Sequence, residues 1–260
     1  MRAHYTHRVP VSVSELAPLA GLFAVGAVSG VLNVIAGGGS FLTLPVLIFI
    51  GLPAAVANAT NRVGVLAQNL GGVFGFHRSG AMNWRWGLAV SVPAVLGAAV
   101  GATWALQMSD FAFKRLLSIA MLGMTLWTVA RRPAAAGDRP LSSPWRWSTV
   151  LAFFLIGVYG GLIQAGVGFA VLAATSMAGM DLVRGNAVKL LAVLLLTMLS
   201  LAIFASSGVV DWTYGLALAA GNTVGAMVGV RLAIRQGHGW IQKVVTVAVV
   251  AFAVLLWFDR

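Results

Sequence analysis

Two positively charged side chains, Arg62 and Lys189, stand inside apolar segments of this sequence. Asparagines precede both, in Asn58-Ala-Thr-Asn61-Arg62 and Asn186-Ala-Val-Lys189, and no carboxylate lies near either one in sequence. An ionisable side chain inside an apolar span is costly and is by default a functional hypothesis. Because a cation beside amides suits an anionic ligand, we predict that Asn58, Asn61, Arg62, Asn186 and Lys189 contact a small anion. The alternative is that both cations extend to the lipid headgroups.

Two glycine-rich runs interrupt the apolar sequence at matching places. They read Asn33-Val-Ile-Ala-Gly37-Gly38-Gly39-Ser40 and Gln164-Ala-Gly166-Val-Gly168. Glycine lets the backbone leave a helix and approach a ligand closely. A helix that restarts at Ser40 or Phe169 exposes its first N–H groups and the positive end of its dipole, which binds anions. We predict that both runs bind the substrate, with Ser40 as N-cap or ligand. The alternative is close helix packing through small residues, the role expected of Gly97 and Gly101.

Acidic residues, histidines and cysteines determine which chemistries lack their usual groups. The six acidic residues lie in or beside predicted connections, the four histidines are terminal or in connections, and cysteine is absent. A carboxylate proton relay, a cation pathway and an intramembrane histidine catalyst are therefore not favoured. No apolar segment pairs Ser with His or groups metal ligands, so we predict no catalytic residue, metal or cofactor. The amides of Gln68, Asn69 and Asn222 are expected to form hydrogen bonds between helices.

The composition indicates what surrounds these residues. Of 260 residues, 60% are hydrophobic and 9% are charged, whereas a soluble domain carries about 25% charged residues. A chain this short cannot bury so much apolar surface in one core and keep a wettable exterior. The absence of period-two alternation favours helices over strands. We therefore predict an all-α integral membrane protein.

Ten apolar segments are distinguishable, five in each half of the chain. They cover residues 16–36, 40–50, 54–76, 84–106 and 111–130, then 147–164, 169–178, 183–205, 212–234 and 240–258. Most approach the roughly 20 residues that a helix needs to cross a bilayer. The second segment of each half is too short to span, which is typical of a half-helix or a re-entrant element.

The two halves repeat one unit. The 27 residues that begin at Ser79 align without a gap with those that begin at Ser207, and Trp84 and Trp212 fall in register together with four glycine pairs. The match extends back to the glycine-rich runs with small gaps. A Pro- and Arg-rich stretch separates the halves. We predict an N-terminal lead of residues 1–15, a first transmembrane repeat of 16–130, a linker of 131–146 and a second repeat of 147–260.

The positive charges indicate a topology. The formal net charge is +11, and most Lys and Arg lie in connections, as the positive-inside rule and contact with anionic lipid headgroups would place them. No aromatic and basic patch indicates nucleic acid. If the first two segments of each half form a hairpin, most basic connections share one face; the alternative is that all five segments cross. Either way each half crosses an odd number of times, so the two repeats are inverted.

In both halves, a glycine-rich break is followed by a short segment, a helix start that contains Asn (with Thr as well in the first half), and a Gly-x-x-x-Trp-x-x-Gly-Leu motif. With these motifs the chain resembles the TauE/SafE sulfite exporter family over residues 21–257. The resemblance implies transport of sulfite, sulfonates or related sulfur-containing anions across the bacterial inner membrane. It places Gly37, Gly38, Gly39, Gly166 and Gly168 in the matching motifs. The second half departs by carrying Gln164 where the first has Asn33, and Val167 within the glycine run.

The residues predict a secondary transporter of a small anion that works by alternating access, and the resemblance implies that the anion contains sulfur and that the membrane is the bacterial inner membrane. A passive anion channel would need a similar cationic pore lined with glycine and is the main alternative. An intramembrane enzyme is less favoured, since the spans contain no catalytic constellation. The expected partners are the anion and membrane lipid, and the sequence sets no oligomeric state.

Overall fold

The computed structural model describes residues 13–35, 37–130 and 140–235, and this part of the chain forms nine helices. The nine predicted segments that fall within the described residues are all helical, and each begins and ends within three residues of its predicted bounds. The tenth, residues 240–258, lies outside the described residues. His77, expected in a connection, lies in the last turn of the helix Ala54–Arg78. The helices are α1 (Val13–Ile35), α2 (Ser40–Phe49), α3 (Ala54–Arg78), α4 (Trp84–Ala105), α5 (Asp110–Ala130), α6 (Trp147–Leu162), α7 (Val167–Met177), α8 (Leu182–Ser206) and α9 (Trp212–Arg235).

Four described helices are long and apolar enough to cross a membrane: Leu16–Val34, Trp84–Ala105, Leu182–Ser206 and Trp212–Leu232. Their outward faces carry large apolar side chains, among them Leu96 and Leu216. Such apolar faces are more favourable in lipid than in water, because apolar side chains have no hydrogen bonds to water that they could lose. The prediction of an all-α integral membrane protein is confirmed.

Helix α3 is as long as a membrane span but much more polar, and it lies inside the protein. It contacts α2, α8 and α9. These neighbours shield its polar residues from lipid, where unpaired polar groups would be expensive. Its buried polar side chains are Asn58, Thr60, Asn61, Arg62, Gln68 and Asn69.

Glycines bring α1 and α9 together in parallel. A Cβ on Gly26 would lie 2.8 Å from the Leu218 carbonyl oxygen, and one turn later a Cβ on Gly30 would overlap the Asn222 carbonyl. Advancing along both helices in the same direction preserves the contact, so the two run parallel. Backbone approach this close needs residues without a side chain and is a common way to pack helices in membranes.

Helices α4 and α6 pack in the same manner. Cβ atoms on Gly157 and Gly161 would overlap the carbonyls of Ala94 and Ala98, so these helices are also parallel. Gly97 lies against Phe154 and Gly101 against Val158 in the same contact, which confirms the predicted packing role of Gly97 and Gly101. Across the alignment of the two halves, this pair corresponds to the pair formed by α9 and α1.

Helix α3 runs antiparallel to α8 and parallel to α9. Arg62, early in α3, lies 4.8 Å from the ring centroid of Phe204, late in α8. Gly72, late in α3, lies against Leu190, early in α8. The start of α9 lies against the early part of α3: the N–H of Asp211, just before α9, donates to Thr60 Oγ1 at 3.0 Å.

Candidate functional site

The two glycine-rich breaks meet in the interior of the protein. A Cβ on Gly168 would lie 2.6 Å from Gly37 Cα, and a Cβ on Gly37 would lie 2.8 Å from Gly168 Cα. Gly37 also has φ +89 and Gly166 has φ +74, a backbone conformation that side chains other than glycine rarely adopt. Residues 37–40 and 164–168 are called the break junction below.

Two short helices begin at the break junction without a side-chain cap. The N-cap of α2 is Gly39 and that of α7 is Gly166. The prediction of Ser40 as N-cap is wrong, because Ser40 is already the first helical residue. The predicted restart at Phe169 is also wrong: the left-handed conformation of Gly166 returns the chain to a helix at Val167. The N-terminal dipole ends of both helices therefore point toward the junction.

Phenylalanine rings from the two halves cover the junction. Phe41 and Phe169 are stacked, with ring centroids 6.2 Å apart and an interplanar angle of 23°. A Cβ on Gly38 would lie 2.8 Å from the Phe169 ring, and one on Gly166 would overlap the Phe41 ring. Each glycine-rich break therefore accommodates an aromatic ring from the other half of the chain.

Arg62 and Asn58 of α3 bind the carbonyl end of α6. Arg62 Nη1 donates to Gly160 O at 3.0 Å, and Nη2 donates to Gly161 O at 2.5 Å. Asn58 Nδ2 donates to Leu162 O at 2.9 Å. These carbonyls lie in the last helical turn, where no intrahelical N–H is available and the dipole favours a cation. We call this group the Arg62 clamp.

Lys189 and Asn186 of α8 bind the carbonyl end of α1 in an equivalent way. Lys189 Nζ donates to Asn33 O at 2.8 Å and to Val34 O at 3.2 Å. Asn186 Nδ2 also donates to Val34 O, at 2.8 Å. We call this group the Lys189 clamp. In it, Asn186 corresponds to Asn58 at the offset that aligns Ser79 with Ser207.

Both clamp cations lie inside the protein. The exposed fraction is 0% for Arg62 and 2% for Lys189, so the alternative in which they extend to lipid headgroups is wrong. Their partners are backbone carbonyls of the other half, which sequence reasoning did not identify. A contact with the ligand stays a prediction for both.

Side-chain hydrogen bonds connect α3 to both parts of the break junction. Arg62 Nη1 also donates to Gln164 Oε1 at 2.6 Å, and Gln164 Nε2 donates to Thr197 Oγ1 at 3.0 Å. In the first half, Asn61 Nδ2 donates to Ser40 Oγ at 3.1 Å, and Thr43 Oγ1 donates to Asn61 Oδ1 at 2.5 Å. The two threonines were not predicted, because single threonines in apolar helices are common.

The remaining predicted residues differ in what they contact. Gly39 packs on α1, where its Cβ would lie 2.6 Å from Ser29 Oγ, and Asn33 contributes its carbonyl to the Lys189 clamp. Asn69 donates to Val65 O in its own helix, so the expected interhelical bond is wrong there. Gln68 and Asn222 are buried with no hydrogen-bond partner among the described residues.

The described helices and the two uncapped breaks define an α-helical membrane protein with a buried, positively charged centre. Comparison with protein families then assigns it: residues 22–256 match the family described as "Sulfite exporter TauE/SafE". The chain belongs to this family, and a membrane transporter is the functional class that follows. The resemblance noted from the sequence is confirmed.

Curated relatives cover nearly the whole chain. A "Probable membrane transporter protein" of Haemophilus influenzae is 28% identical over 93% of this chain and 95% of its own length. "Probable membrane transporter protein ORF9" of Sinorhizobium sp is 26% identical over 93% of both chains. "Probable membrane transporter protein YfcA" of Escherichia coli is 24% identical over 92% of this chain and 89% of its own length. No solved structure matches the chain significantly.

Proposed function

We propose that the protein is a secondary transporter that moves a small sulfur-containing anion across the bacterial inner membrane by alternating access, with the break junction as the substrate site. The family description supports the substrate class. The observation that carries the proposal is the contact between Gly37 and Gly168, which brings the uncapped starts of α2 and α7 together in the protein interior.

The clamps make this centre electrostatically suitable for an anion. In an interrupted helix, the negative carbonyl end of the first piece lies near the positive N–H end of the next, and the two fields oppose each other. Arg62 and Lys189 neutralise the carbonyl ends of α6 and α1. The positive ends of α2 and α7 then remain uncompensated, and no carboxylate is buried among the described residues.

The proposal includes inverted repeats of residues 16–130 and 147–260 around the linker 131–146. Helix directions support it. Helix α1 is parallel to α9, α9 is parallel to α3, and α3 is antiparallel to α8. The helices α3 and α8, which are equivalent in the repeat, run in opposite directions, as an inverted repeat requires. Substrate sites of such transporters lie near the midplane, between the repeats.

Alternating access requires rigid units that move around this centre. The pairs α1/α9 and α4/α6 are the natural candidates, because backbone contacts through glycine leave little room for sliding within a pair. The junction residues are buried and the rings of Phe41 and Phe169 stack beside them, so the proposal assigns this structure to an occluded state. Rocking of one pair against the other would expose the junction to each face in turn.

Accumulation of labelled sulfite in proteoliposomes tests this function and separates it from a channel. With an imposed ion or pH gradient, a secondary transporter moves sulfite against its own concentration gradient, or exchanges labelled for unlabelled anion. A passive channel only equilibrates sulfite with the membrane potential. Equilibration without exchange would reject alternating access, and no sulfite movement at all would reject the substrate.

A further inference from the structure

Each clamp leaves one hydrogen-bond acceptor unused. Asn58 and Asn186 donate through Nδ2 to backbone carbonyls, and their Oδ1 atoms are buried without a partner among the described residues. A carbonyl only accepts, so the nitrogen of each amide must face it and the oxygen must face away. The two atoms are equivalent in the repeat, which argues against an isolated packing defect.

Among the described residues, each clamp also leaves at least one N–H donor unused. Arg62 Nε is buried and has no partner among the described residues. Lys189 has three N–H donors, of which Asn33 O and Val34 O take two. Asn58 and Arg62 are four residues apart on α3, and Asn186 and Lys189 are three apart on α8, so acceptor and donor share one helix face in each clamp.

We propose that the two clamps bind one protonation state of the substrate selectively, so that the transported species is an oxyanion that carries one O–H. Such an ion accepts from the Arg62 or Lys189 donor and donates to the Asn58 or Asn186 oxygen. A fully deprotonated oxyanion offers acceptors only, and its oxygen faces an amide oxygen. This inference rests on the proposed function and adds selection of hydrogen sulfite over the sulfite dianion and sulfate.

The expected discrimination is about tenfold or more, because a buried acceptor without a donor loses a hydrogen bond that it made in water. The ionisable side chains that the described residues place at the clamps are Arg62, Lys189 and Tyr159, whose hydroxyl donates to Ala165 O at 2.6 Å. A change in their own charge with pH would alter binding of every anion. An anion that does not titrate therefore serves as the internal reference.

The experiment measures binding of total sulfite and of methanesulfonate to the purified full-length protein from pH 6 to pH 9. Methanesulfonate stays a monoanion without an O–H over this range, so it should bind more weakly than hydrogen sulfite but without a change in its own charge. Sulfite changes from hydrogen sulfite to the dianion. We expect the sulfite affinity, divided by the methanesulfonate affinity, to fall about tenfold between the ends of the range. In Asn58→Ala and Asn186→Ala this ratio should flatten. Asn69→Ala, a buried amide bonded within its own helix, should keep the wild-type profile.

The outcomes separate this inference from the proposed function. If sulfite binds with a ratio that does not change with pH, the unused oxygens bind water only, and selection of the protonated ion is rejected while the anion site stands. If neither anion binds at any pH, the proposed function itself fails. The wild-type profile is decisive on its own if either alanine variant does not fold.

Discussion

Gly37 and Gly168, from opposite halves of the chain, touch through their backbones where the two broken helices restart. Neither position has room for a methyl group, since a Cβ on either one would lie within 2.8 Å of the other glycine. This contact holds the N-terminal ends of α2 and α7 together. Because both ends are positive, keeping them adjacent is unfavourable unless a negative charge lies between them for part of the transport cycle.

Gly168→Ala should therefore separate the two helix ends and lose anion binding. The alanine Cβ would overlap Gly37, and the displacement is expected to cost about 1–3 kcal/mol through strain in a packed region. Binding of labelled sulfite measures the effect. The matched control is Gly71→Ala in α3, where a Cβ has no atom within 4 Å. Unchanged binding in Gly168→Ala would show that the close contact is only structural.

Arg62→Ala should abolish transport, because the carbonyl end of α6 would regain its negative field beside the substrate. The variant loses bonds to Gly160 O, Gly161 O and Gln164 Oε1, and hydrogen bonds to a charged group contribute roughly 1.5–3 kcal/mol each. Arg62→Lys keeps the charge with fewer donors and should fold better and transport partially.

Flux in proteoliposomes, with thermal melting to report folding, measures both Arg62 variants. Arg78→Ala removes an exposed cation at the end of the same helix, where the guanidinium lies 4.9 Å from the Phe74 ring centroid. It should transport normally. Near-normal flux in Arg62→Ala would reject the proposed role of the clamp.

Thr197→Val should weaken substrate binding several-fold and lower the stability by about 1 kcal/mol. The valine keeps the shape but removes the acceptor of Gln164 Nε2, so the amide is no longer held against Arg62. A lost buried hydrogen bond corresponds to about 1 kcal/mol. Thr103→Val removes a hydroxyl that bonds within its own helix on the exterior and should leave the Kd unchanged. Equal Kd values for wild type and Thr197→Val would place Gln164 outside the site.

Single cysteines at the aligned residues Ser79 and Ser207 test the inverted repeat. The chain has no native cysteine, and both serines are exposed at helix ends. A membrane-impermeant maleimide should label Ser207→Cys in intact cells, while Ser79→Cys should react only after the membrane is opened. Labelling of both from the same side would contradict the inversion.

Much of the fold could be predicted, because long apolar segments indicate membrane helices and glycine runs indicate where those helices break. The nine described helices begin and end near the predicted residues, including the short α2 and α7. The geometry of the candidate site was harder to predict. Arg62 and Lys189 were identified by their unusual position, but their binding to carbonyls of α6 and α1 depends on how the halves pack, and backbone carbonyls leave no sequence signal.

The first residues of the two short helices also differ from the prediction. Serine is a common N-cap, so Ser40 was a reasonable prediction, yet Gly39 takes that position and Ser40 bonds to Asn61 instead. In the second half, the conformational freedom of Gly166 allows α7 to begin before Phe169. A glycine run marks where a helix breaks more accurately than where the next one begins.

Ligand-dependent thermal stabilisation of the purified protein tests the central claim most directly. A ligand that binds only the folded state raises Tm. Sulfite, thiosulfate and small sulfonates are compared with carboxylates and Na⁺, in wild type and in Gly38→Val, whose side chain would press into the Phe169 ring. We predict that a sulfur oxyanion raises the Tm of wild type and not that of Gly38→Val. Stabilisation by a cation alone, or an anion response unchanged in Gly38→Val, would contradict an anion site at the break junction.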